Sequence, residues 1–333
     1  MRLSEFFERW FLPMVLEAKE ASASTILLYR QSIAWWITLT GDPPIDTIDE
    51  KMLKDFREAL SHATYRRGPA GAVRPVTRFT AAKHLRDLRS ILSRLGPTLD
   101  PKRPGKGVLP ASPYLAVPQP RLKRPKPSFE VQAARAVAIA ASRFSDWPTS
   151  RRAKTPPRMP PGLWALSLVS AWYYAGFRAG TSLRLRWRML IERRDGHWWD
   201  LPEEVLPKTH KPVEKFCHPA CAALLQRLRA ESGAAEEGNL IFDWSRSYSH
   251  LSDCHELWQL SAGIAEEEKL PPQAWRRTHA TQLGLLGLER AQEIARMALD
   301  HGSVETTKEF YLGLEPQLIR MLPPLVEAQQ RLF

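Results

Sequence analysis

Long apolar runs are missing from this 333-residue chain. No stretch reaches the roughly 20 apolar residues that a membrane-spanning helix needs. The N-terminal segment MRLSEFFERWFLPMVLEAKE is broken by Glu5, Glu8 and Arg9 where a signal peptide would stay apolar. The expectation is a cytoplasmic protein with no membrane partner. Cysteine is sparse as well: Cys217, Cys221 and Cys254 cannot all pair. Cys217, His218 and Cys221 sit close together, but the second pair of thiols or imidazoles that a zinc site requires is missing at ligand spacing. The thiols therefore read as buried or inert, and no metal site is expected. The chain also has no GxxxxGK[ST] phosphate loop and no acidic metal-binding cluster.

Acids are scarce in one place in particular. From Thr64 to Lys126 there are two, Asp87 and Asp100, against fifteen lysines and arginines. The whole chain carries +12, with a pI ≈ 9.8, which favours a polyanionic partner. So local an excess reads as a phosphate-binding surface, and nucleic acid is the expected partner. Hydrophobic content of 44% and charged content of 25% fit a globular protein. The length exceeds what one core of ordinary size accommodates, so two domains are expected.

The first hundred residues read as helices. Ser24 is placed to cap a helix through TILLYRQSIAWWITL, with Leu27, Ile33 and Ile37 apolar. TIDE forms a capping box from Thr47 to Glu50 ahead of KMLKDFREAL. After a loop, YRRGPAGAVRP, a third helix carries Leu85, Leu88, Leu92 and Leu95 as a core stripe. Arg78, Lys83, Arg86, Arg89 and Arg94 lie on its other faces, toward water or phosphate. Proline and basic residues then dominate up to Ser128 and read as an extended cationic linker. The expected division is 1–97, a linker at 98–128, and a second domain at 129–333. That domain opens with the helix EVQAARAVAIAASRF and, past a proline-rich basic loop, the apolar helix LWALSLVSAWYYAGF. HWWDLP and VEKFCHP read as short strands flanking a turn at KTHKP, helices resume at 220–232, and NLIF suggests one more strand.

Several residues stand where chemistry is plausible. Arg178, in AGFRAGTSLRLRWRML, follows a buried-looking helix and a glycine turn, where solvation is poor and a guanidinium needs an anion. Arg276 and Arg277 open a helix behind Pro271 and Pro272, where free backbone amides also favour anions. His301 sits on a turn ten residues before Tyr311. Singly, each is more often structural than functional.

Their order resembles the catalytic domain of the tyrosine recombinases, the phage-integrase family. AGFRAGTSLRLRW is similar to the family's first arginine motif, WRRTHAT to the second, and LDHGSVETTKEFY to its histidine-to-tyrosine segment. The N-terminal half is similar to the family's helical core-binding domain. The resemblance implies a mainly α protein with a small β-hairpin or sheet: a helical DNA-binding domain followed by a mixed α/β catalytic domain. It implies cutting and rejoining of double-stranded DNA through a covalent 3′-phosphotyrosine, by a tetramer on DNA, without cofactor or metal. Arg178 and Arg276 would clamp the scissile phosphate. Lys208, with Lys211 as the competing assignment, would protonate the departing 5′-oxygen. His301 would hydrogen-bond the phosphate or aid proton transfer, and Tyr311 would attack phosphorus. Gln273 stands where the family usually has histidine or lysine, Thr181 where it usually has an acid, and Asp300 where it usually has glycine. The usual nine-residue spacing from His301 lands on Phe310, one residue before Tyr311. These departures feed a second reading, a DNA-binding protein that has lost catalysis; a type IB topoisomerase relative is a third. The tail residues Leu314, Leu318, Met321 and Leu325 suit a helix docked on a neighbouring subunit or on its own domain.

Overall fold

The computed structural model describes residues 1–66, 73–99, 102–103, 105–113, 127–147, 159–206, 211–233, 236–244, 248–286 and 316–326. The chain divides into two compact units, Met1–Arg124 and Pro125–Phe333.

The first unit is built from four helical segments. Helix α1 (Leu3–Phe6) runs on as a π-helix over Phe7–Leu16, with Pro13 inside it. Proline supplies no backbone N–H, and the wider winding spans the position where an α-helical bond would be missing. Helix α2 (Ala23–Thr40) is capped by Ser22, whose Oγ accepts from Thr25 N at 3.3 Å, and is closed by Gly41 at φ 73°. The cap therefore lies two residues ahead of Ser24. The buried stripe of α2 is Ser32, Ile33 and Trp36, while Leu27 and Ile37 are exposed. Helix α3 (Glu50–His62) is capped by Asp49, which accepts from Met52 N at 2.7 Å. Thr47 does not cap it, because its hydroxyl is spent on Pro44 O within the preceding turn. Between α3 and helix α4 (Arg78–Leu92) the expected loop is an antiparallel ribbon, β1 (Thr64–Arg66) against β2 (Val73–Pro75).

The core of this unit gathers Phe7, Phe11, Trp36, Phe56, Leu60, Leu88 and Ile91. A buried polar bridge fastens α2 to α4: Ser32 Oγ donates to Asp87 at 2.9 Å and sits 2.8 Å from His84 Nδ1. Burial pushes His84 down to about 4 and Asp87 upward. The start of the proline-rich segment folds back on this unit, with Lys106 N and Leu109 N donating to Arg94 O and Leu95 O. Arg78, Arg86 and Arg89 are exposed on α4 and Lys83 is half-buried. Arg94 departs from that surface set. It lies beyond the last turn of α4, is 7% exposed, and its side chain is engaged within the protein.

In the second unit the helix α6 (Pro161–Ala175) is the central rod, buried from Gly162 to Ala175. An element apolar on every face must be enclosed on every face. Helices α5 (Val131–Ser142), α8 (Pro219–Ser232) and α10 (Ala274–Leu285) all pack on it. After the short helix α7 (Ala179–Ser182) come β3 (Leu190–Arg193), β4 (Gly196–Leu201) and β5 (Val213–Phe216), an antiparallel sheet in that order. The β4–β5 pair matches the two strands expected from HWWDLP and VEKFCHP, and β3 is an addition. At the position of NLIF there is only one isolated bridge, Leu240 to Arg186. Helix α9 (Tyr248–Ser261) packs on α5. The stretch 316–326 packs on its own unit: Leu318, Ile319, Leu322 and Leu325 are buried and Met321 is exposed. Tyr173 Oη donates to Pro323 O at 3.1 Å, and Leu325 N donates to Tyr174 Oη at 2.8 Å. Leu314 lies outside the described residues.

Candidate active site

The C-terminal end of α6 organises the candidate site. Gly176, in the left-handed conformation at φ 63°, closes the helix and turns the chain sharply, so that Arg178 two residues later caps α7. Glycine adopts this φ without steric cost. The backbone of Arg178 is gripped firmly, its carbonyl accepting from Thr181 N at 2.9 Å and from Ser182 N at 3.0 Å. Ser182 Oγ is itself held by Trp172 Nε1 at 2.9 Å. Thr181 is buried here, as a helix-packing residue. The Arg178 side chain is half-buried and has no hydrogen-bond or ion-pair partner among the described residues.

Helix α10 delivers the second arginine to the same place. Pro271 and Pro272 supply the carbonyls that receive Ala274 N and Trp275 N, starting the helix at Gln273. Trp275, fully buried, donates from Nε1 to His255 Nε2 at 2.8 Å and so pins α10 to α9. Arg276, next in the chain, is 4% exposed and donates from Nη1 to Gly176 O at 2.9 Å. One hydrogen bond thus ties the second arginine motif to the residue that aims the first. Three residues on, one turn along the same helix face, His279 Nδ1 lies 2.8 Å from Tyr173 O. A carbonyl only accepts, so Nδ1 carries the proton and Nε2 is left as a buried acceptor without a partner. Burial, then the Lys215 charge, push His279 down to about 3 despite the bond to Tyr173; Arg276 adds a small push in the same direction.

Lys215 and His279 are the residues that sequence reasoning passed over. Lys215 is 2% exposed on β5, opposite Trp199 of β4. Its signal was available, since it occupies the inward phase of the strand while Glu214 points outward. Arg277 points away from this cluster and donates from Nε to Pro127 O at 2.7 Å, anchoring the chain as it enters the unit. Gln273 is half-buried at the N-cap of α10, and Lys211 is exposed beyond the β4–β5 turn. Lys208, His301 and Tyr311 lie outside the described residues, as do Asp300 and Phe310. The thiols are buried, and burial raises Cys217 well above the usual thiol range. Among the described residues there is no cluster of three or more potential metal ligands, and no helix is long and apolar enough to cross a membrane.

No protein-family model and no curated protein matches the chain by sequence. Solved structures do match it. A lambda integrase (75–356) dimer bound to a COC′ core site aligns with a TM-score of 0.61, covering 91% of this chain and 96% of that one at 14% identity. A lambda integrase dimer bound to a COC′ core site gives 0.61 over 93% and 77% of the two chains, at 14% identity. XerH site-specific recombinase bound to difH substrate, a pre-cleavage complex, gives 0.55 over 94% and 84%, also at 14% identity. The chain therefore has the fold of the tyrosine recombinases and integrases.

Proposed function

We propose that the protein is a site-specific DNA recombinase that cuts and rejoins duplex DNA through a covalent 3′-phosphotyrosine. The observation that carries this reading is the bond from Arg276 Nη1 to Gly176 O. It draws together two arginines separated by about a hundred residues of sequence, within a fold shared with DNA-bound recombinases. Two guanidinium forks suit a phosphodiester, because each presents paired N–H donors matched to two oxygens. They suit the trigonal-bipyramidal transition state better still, since its equatorial oxygens carry more localised charge.

In this reading Tyr311 Oη attacks phosphorus, the bond from phosphorus to the 5′-oxygen breaks, and Lys208 delivers a proton to that oxygen. A cationic pocket lowers the phenol from its ordinary value of about 10 and favours the attacking phenolate. A 5′-hydroxyl from another strand then attacks the phosphotyrosine, which restores the phosphodiester and releases the phenol, so no nucleotide is consumed. His301 and Gln273 hydrogen-bond the phosphate, and four copies act together on DNA. The exposed Arg78, Arg86 and Arg89, with Lys83, engage the duplex backbone.

The test uses nicked suicide duplexes tiled across the DNA flanking the protein's own gene, resolved on a denaturing gel. A protein–DNA adduct that disappears in Tyr311→Phe, with DNA affinity kept, is the expected result. An adduct that persists in Tyr311→Phe removes Tyr311 from its role. One specific observation favours the second reading, a DNA-binding protein without catalysis: Gln273, at the N-cap of α10, cannot carry a proton. Tight binding with no adduct on any tiled duplex would establish that reading instead.

A further inference from the structure

The segment read from sequence as a loop between α3 and α4 is a ribbon with a definite register. Thr64 faces Pro75, Tyr65 faces Arg74 and Arg66 faces Val73. Val76 N donates to Ala63 O at 2.8 Å and closes its base. Nothing in the core calls for it. Tyr65, Val73, Arg74 and Pro75 are all exposed, Thr64 is half-buried, and the chain re-enters the core only at Val76. A lone two-stranded ribbon is marginal by itself, and this one has neither a third strand nor a buried face to account for it.

Its charge and shape do suggest a partner. Residues 64–99 hold nine or so lysines and arginines by rough count and one acid, Asp87. That acid is buried and bonded to Ser32, so no exposed carboxylate among the described residues of this stretch opposes Arg74. Residues directly opposite in a ribbon project from one face, their Cβ atoms about 5 Å apart. Tyr65 and Arg74 therefore form a paired edge of one aromatic ring and one guanidinium. A two-stranded ribbon fits the roughly 12 Å major groove of B-DNA and is too broad for the roughly 6 Å minor groove. Arginine there forks onto guanine O6 and N7. Pairing with a second copy through a strand edge is disfavoured, because each strand has three residues, β2 ends on Pro75, and like charges would meet.

We propose that the β1–β2 ribbon enters the major groove of duplex DNA with Tyr65 and Arg74 as its contact edge, beside the phosphate contacts of α4. This rests on the DNA-recombinase reading and adds to it an element that reads bases. The experiment measures binding of the full chain to a short duplex by anisotropy over a salt series, with sedimentation of the free protein alongside. It compares wild type, Arg74→Ala, Tyr65→Ala and the pair Arg86→Ala/Arg89→Ala. Because the two ribbon positions lie outside the core, their thermal transitions should match wild type. Arg74→Ala should flatten the log–log salt slope by about 0.9, one neutralised phosphate or its equivalent. Tyr65→Ala should weaken binding with little change of slope. If both ribbon variants bind like wild type while the α4 pair is weakened, the ribbon is not a DNA element and the functional reading stands. If the ribbon variants change self-association instead, the occupant is a second copy and the proposal fails. If wild type shows no salt-dependent duplex binding at all, both the proposal and the functional reading fall.

Discussion

Acid should weaken the second unit well before its carboxylates titrate, and the amount follows from two histidines. His255 and His279 are fully buried, and burial pushes each from 6.5 down to about 3. Neither has room for a second proton: His255 Nε2 accepts from Trp275, and His279 faces the charges of Lys215 and Arg276. Below about pH 6.5 the unfolded chain binds a proton at each ring, while the folded chain refuses both until about pH 3. Stability is therefore whole above pH 6.5 and is lost as pH falls from there toward 3. At pH 5 the loss is about 2 kcal/mol per ring, or about 4 kcal/mol for the pair, against a typical total of roughly 5–15 kcal/mol for a domain. Urea unfolding followed by tryptophan emission reports mainly this unit, which holds nine of the twelve tryptophans. The midpoint should fall steeply from pH 7 to pH 5, and His279→Gln should reduce the pH dependence by about one proton while lowering the midpoint at pH 7. Equal midpoints at pH 7 and pH 5 in the wild-type protein would refute the reasoning.

Three further outcomes follow from the geometry. Arg276→Lys keeps the charge but cannot bond Gly176 O and present a fork to phosphate at once, so adduct formation should fall by at least about 100-fold with DNA affinity changed only a few-fold; near wild-type cleavage would remove Arg276 from the site. Gln273→His places an ionisable ring at the N-cap of α10 and should form adduct at least as fast as wild type, a clear slowing being the contrary result. Ser32→Ala takes away the hydroxyl that Asp87 and His84 share in the α2–α4 interface, which should cost about 1–3 kcal/mol in urea melts of the full chain; unchanged stability would mean that water replaces it there.

Periodicity and capping made most of the helices legible, and they failed where side chains had competing uses. Ser24 and Thr47 are plausible caps by type, but Ser22 and Asp49 hold the amides, a choice made by where the preceding turn ends. Leu27 and Ile37 have the character of core and are exposed, because α2 turns the face of Ile33 and Trp36 inward and accepts Ser32 beside them. Arg94 has the character of surface and is buried, because the chain folds back at Lys106 and Leu109 to cover it. The ribbon is invisible in the sequence because its residues alternate nothing: a strand pair with no buried face leaves no period in the hydrophobicity.

The site was legible as motifs and not as an arrangement. Sequence could place Arg178 after a glycine turn and Arg276 at a helix start, but neither motif says that the carbonyl of that glycine is what the second arginine holds. The backbone explains why the link falls there. The last carbonyls of a helix lack intrahelical partners and carry the negative end of its dipole, so the end of α6 attracts donors. Tyr173 O receives His279 and Gly176 O receives Arg276, from one face of α10. A cation placed by a helix terminus needs no carboxylate to position it, and a carboxylate would compete with phosphate for the same fork. That Thr181 stands where related proteins usually place an acid is then a change of scaffold, with part of the positioning done by main-chain oxygen.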